Sequence, residues 1–84
     1  MNFNLKPTRV KKFSIGDKVI IQNLTNASLN LYNKAKLAGY GFIHCPCNIK
    51  ANVTSTIIQV FGNGYLLDTG FFKSVAHPND LRKV

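Results

Sequence analysis

The sequence predicts an all-β domain of short strands, and three observations carry that prediction. β-branched and aromatic residues gather in brief runs, above all KVIIQNL at 18–24 and ANVTSTIIQVF at 51–61, the composition that suits a pleated, half-buried surface. Asn63-Gly64 closes the second run, and that pair is favoured where a two-residue hairpin needs φ > 0. Turn-forming residues break up the rest, as in SIGD at 14–17, Thr69-Gly70 and AHPND at 76–80. With 84 residues the chain suffices for one domain with a thin core.

Residues 1–12 show neither a helical nor a strand period and contain Pro7; they read as a basic arm ahead of a domain at 13–84. After the 14–17 turn, the first strand places Val19 and Ile21 on one face and Lys18, Ile20 and Gln22 on the other. TNASLNLYNKAKLA at 25–38 carries a weak stripe of Leu29, Tyr32 and Leu37. Its three asparagines favour a long irregular first loop with a single helical turn. GYGFIHC at 39–45 reads as a further strand whose glycines permit a bend.

The hairpin, centred on Asn63 and Gly64, pairs Phe61 with Leu66, Val60 with Leu67 and Gln59 with Asp68. Ile58, Val60, Tyr65 and Leu67 then form the core face, and Phe61 and Leu66 point outward under partial cover by a loop. FFKSV at 71–75 is a short strand, and adjacent Phe71 and Phe72 cannot both face inward. LRKV at 81–84 closes the domain after a 3₁₀-type corner.

Together these pieces describe a small five-stranded SH3-like barrel, an architecture whose closure removes exposed edges. Phe13, Gly16, Asp17 and Val19 at the front, and Val75, His77, Pro78, Asp80 and Leu81 at the end, give the order of pieces a resemblance to the C-terminal domain of retroviral and retrotransposon integrases. There a GD-x-V strand opens the barrel and a segment like VHP-x-x-L closes it. That resemblance implies contact with the DNA backbone through basic residues. The segment around Cys45 and Cys47 has no counterpart in it.

Charge points the same way. Eleven Lys and Arg stand against three Asp and no Glu, a net charge of +8. The first eighteen residues hold Lys6, Arg9, Lys11, Lys12 and Lys18 against Asp17 alone. Such a field attracts phosphates and speeds encounters with them. The expected function is a basic nucleic-acid-binding module, for DNA or RNA, encoded by a phage or another mobile element. Its phosphate contacts come from those five cations, extended by Lys34, Lys36, Arg82 and Lys83. A second reading is a protein-binding module or inhibitor that docks on an acidic host protein through Tyr32, Phe61 and Leu66.

Catalysis finds little footing. The three Asp sit in turn or hairpin contexts, and no phosphate-cradling glycine loop is followed by Lys-Ser/Thr. His44, Cys45, Cys47 and His77 offer metal-binding atoms, yet C-x-C departs from the usual C-x₂₋₄-C spacing, so neither metal nor cofactor is expected. No apolar run reaches the roughly 20 residues of a membrane span, and the first residues lack an apolar signal core, so a cytoplasmic location is expected.

Overall fold

Lys18–Ile21 is apolar at three of its four positions, all three β-branched, and it forms β1. The structure, a computed structural model, describes residues 12–50 and 52–84. Of the basic arm expected at 1–12, only Lys12 falls among them, so Lys6, Arg9 and Lys11 lie outside the described residues. After β1 come helix α1 (Asn26–Leu37), β2 (Thr54–Phe61), β3 (Gly64–Asp68), β4 (Lys73–Ala76) and β5 (Leu81–Lys83), with 3₁₀ turns at Pro46–Asn48 and Pro78–Asp80.

The strands make one antiparallel sheet in the order β4-β3-β2-β1-β5. β4 and β5 are its edges and do not pair, so the sheet is open where a closed barrel was expected. The β4 edge has another partner. Ile43 bridges Lys73 in parallel, the His44 N–H donates to the Lys73 carbonyl at 2.8 Å, and the Ser74 hydroxyl donates to the His44 carbonyl at 2.7 Å. That bridge is all the β structure of residues 39–45, where a full strand was expected.

The expected irregular loop is instead a helix of 12 residues. Ser28, Leu31 and Ala35 form its buried stripe, at spacings of three and four that stack on one helical face. Lys34 and Lys36 occupy the last turn, where cations complement the helix dipole. The stop is a Schellman arrangement. Gly39 takes φ +97°, its N–H donates to the Lys36 carbonyl at 3.2 Å, and the Tyr40 N–H donates to the Ala35 carbonyl at 2.9 Å. The start depends on tertiary contact. Thr25 makes no side-chain cap; its N–H and hydroxyl both donate to Asp80 Oδ2, at 3.1 and 2.9 Å.

The hairpin sits one residue earlier than the sequence suggests. Phe61 pairs with Gly64, so Gly62 and Asn63 form the turn, and Gly62 supplies the positive φ of +56°. Gly64 answers a different demand. A methyl group there would collide with Leu31 Cδ1 and lie 2.6 Å from the Ala76 carbonyl oxygen, so helix and hairpin meet over bare backbone. A bulge between Ile57 and Gln59 then shifts the register. As a result Ile57, not Ile58, joins Leu67 and Tyr65 in the core. Val60, expected in the core, stands opposite Tyr65 near the hairpin tip and is 58% exposed.

The sheet buries both faces. On one, Val19, Ile21, Ile57, Leu67 and Leu81 form a cluster that Phe13 and Ile49 close. On the other, α1 delivers Leu31 and Ala35 onto Leu66 and Val75, flanked by Ile58, Phe61 and Tyr40. No helix among the described residues is long and apolar enough to cross a membrane.

Candidate nucleic-acid interface

Acids and cations are sorted by depth. Asp80 is fully buried and accepts from Thr25 and Ser28. Asp17 is half-buried, accepts from the Ser14 N–H at 2.9 Å and lies 3.6 Å from Lys83 Nζ. Asp68 is half-buried and accepts from the Gly70 N–H at 2.8 Å. Each carboxylate therefore serves the fold. Of the eight described cations, seven are exposed, and Lys73 is half-buried. Lys83–Asp17 is the one ion pair among the described residues, and its exposed lysine makes it weak. Among the described residues the exposed cations therefore outnumber the carboxylates within reach of them, and only Lys83 is paired.

Two groups of these cations are brought together. Lys18 and Arg82 share one face of the paired strands at the β1–β5 edge, Arg82 standing opposite Ile20, while Lys83, opposite Val19, takes the other face and pairs with Asp17. Lys12 and Lys34 flank the hairpin tip. Lys34 lines a groove of about 450 Å³ between α1 and the tip, with Asn30, Asn33, Asn63 and His77. Lys12 lines a hollow of about 360 Å³ on the other side of Asn63, against Phe13 and Pro78. Phe13 is held there by its N–H bond to the Tyr65 hydroxyl at 3.0 Å and by an edge-on ring contact with Tyr65. Lys36 joins neither group. Its ammonium lies 5.7 Å from the Tyr32 ring centre and donates to the Gly41 carbonyl at 3.3 Å.

The residues expected to dock a protein partner sit deeper. Leu66 is only 3% exposed and belongs to the helix-side core, which corrects its placement on an outward face. Phe61 is half-buried, 5.1 Å from the Tyr40 ring, and Gln59 tethers that ring by donating to its hydroxyl at 3.0 Å. Tyr32 is half-buried against the same core.

Cys45 Sγ accepts the Cys47 N–H at 3.4 Å, and the hydrogen bond with the Cys45 side chain pushes the Cys47 thiol above its ordinary pKa. A raised thiol holds little thiolate at neutral pH and is a poor nucleophile. His44 stacks on Phe72 with ring centres 4.6 Å apart. No group of three or more His, Cys, Asp or Glu able to hold a metal ion occurs among the described residues.

Sequence reasoning missed the asparagine side of the groove. Asn30 and Asn33 are three apart, and on a helix that spacing puts both on one face. The signal was visible only once the segment was taken as helical. Comparison with known proteins finds no matching family model, no similar curated protein and no similar solved structure.

Proposed function

We propose that this protein is a small basic module that binds nucleic acid through phosphates. One observation carries the reading: every described carboxylate is half-buried or buried in a structural role, while seven cations stand exposed. A lysine ammonium is a compact point charge suited to phosphate oxygens. The two cation groups would hold the backbone from the β1–β5 edge and from the hairpin tip. Between Lys12 and Lys34, the amides of Asn30, Asn33 and Asn63 add neutral donors that reach phosphate or sugar oxygens without a charge of their own. The reading extends to an open SH3-like architecture, supported by β5 returning beside β1 after the β1–β4 meander. Docking on an acidic protein draws no support from Leu66, which is buried.

Titration of DNA and RNA at several salt concentrations tests the proposal. If about five phosphates are neutralised, the log–log salt slope falls near −4 to −5 on duplex DNA and is shallower on single strands. Lys12→Gln with Lys34→Gln should lessen that slope by about two, because each lost phosphate contact removes about one. Absence of binding at low salt, or binding indifferent to salt, overturns it.

A further inference from the structure

Phe71 is 93% exposed, more than any other large apolar side chain described, and the structure holds it there. Its turn is self-contained. The Thr69 N–H and hydroxyl both donate to the Phe72 carbonyl, at 3.0 and 2.9 Å. The Thr69 hydroxyl oxygen accepts from the N–H groups of Phe71 and Phe72, at 3.2 and 3.1 Å. Asp68 Oδ1 accepts from the Gly70 N–H, and Gly70 takes φ +95°. The neighbouring ring goes the other way: Phe72 is half-buried against His44. The turn therefore sorts the Phe pair, one ring into the body and one out on a rigid mount.

Beside the outward ring lies a cleft of about 340 Å³ between the turn and residues 48–50 with Val53. Ile49, Val53 and Phe72 make its walls apolar, and its polar groups are Asn48, Lys50 and Thr69. The lining thus combines an exposed aromatic face, Phe71, with one cation, Lys50. Asn48 offers an amide donor and acceptor for polar ring edges.

Resting on the nucleic-acid reading above, the geometry points to this cleft as a base-stacking site for single-stranded DNA or RNA: Phe71 stacks on one unpaired base and Lys50 takes the adjoining phosphate. Among the described residues Lys50 is the one cation lining the cleft, and Asp68, the carboxylate of the same turn, is half-buried and occupied by the Gly70 N–H, so the local charge favours an anionic occupant. A nucleotide joins a π face to a negative charge, as the site requires. A paired base inside a duplex keeps its faces covered by its neighbours, so the ligand is the unpaired strand.

The experiment measures binding of fluorescent oligothymidylate, oligouridylate and a duplex of equal length by the full chain and two variants. Phe71→Ala should weaken both single strands by about tenfold, within the range of one stacked base, and leave duplex affinity, the salt slope and thermal stability unchanged. Phe71→Trp should retain affinity. The chain has no tryptophan of its own, so the new indole emission should be quenched as the strand binds. A greater loss on oligouridylate than on oligothymidylate, or the reverse, assigns the strand chemistry. If Phe71→Ala binds single strands like the parent while parent binding stays salt-dependent, the stacking site is overturned and the phosphate reading stands. Equal losses on strand and duplex also overturn it. Failure of the parent to bind any of the three probes overturns both.

Discussion

Two corners of the molecule are built from the same chemical parts and end differently. At His77–Leu81, a carboxylate and two hydroxyls form a network whose members are 52 to 55 residues apart in sequence. Asp80 Oδ2 gathers the Thr25 and Ser28 donors, and the Ser28 hydroxyl oxygen accepts the His77 N–H at 2.8 Å. At Asp68–Phe72, a carboxylate and a hydroxyl bond only to residues two or three positions away. The first corner ties the helix start to the sheet and disappears into the interior. The second ties only itself and presents a bare phenyl ring. Distant partners turn a polar corner into scaffold, whereas local partners make a mount for something else.

Asp80→Ala is the strongest way to break that contrast. It leaves the buried Ser28 hydroxyl and the Thr25 groups without their acceptor, and unfolding in urea should register a loss of about 3 kcal/mol, because bonds to a charged acceptor rank among the costly ones to lose. Gly64→Ala probes the other long-range seam. Its methyl must displace Leu31 and cannot displace the Ala76 carbonyl, so the same assay should show about 2 kcal/mol lost to overpacking. Asp68→Ala, in the self-contained turn, should cost about 0.5 kcal/mol, near the low end for one hydrogen bond at an accessible site. A cost for Asp68→Ala equal to that for Asp80→Ala would erase the distinction between the corners.

The same distinction explains what was legible. Local patterns showed well: the β-branched runs became β1 and β2, and the 3₁₀ corner at Pro78–Asp80 fell where AHPND put it. The helix was misread because its start relies on Asp80, more than fifty residues downstream, and no acid stands in its own first turn. Its end was written locally, in Lys34, Lys36 and Gly39, yet the asparagines outweighed that signal. The hairpin slipped by one because two glycines bracket Asn63, and only the closeness of Leu31 decides which must lack a side chain. Of the candidate surface, the surplus of cations was plain from composition. Their grouping at the hairpin tip and the β1–β5 edge, with Asp80 buried and Asp17 and Asp68 half-buried, came only with the chain path.

The bare contact at Gly64 also governs how the neighbouring groove behaves. Leu31 is seated directly on main chain there, so a single side chain separates the helix from the hairpin backbone. Under the proposed phosphate reading, a strand entering that groove would meet a wall set by main chain and, along the lining, the side chains of Asn30, Asn33 and Lys34.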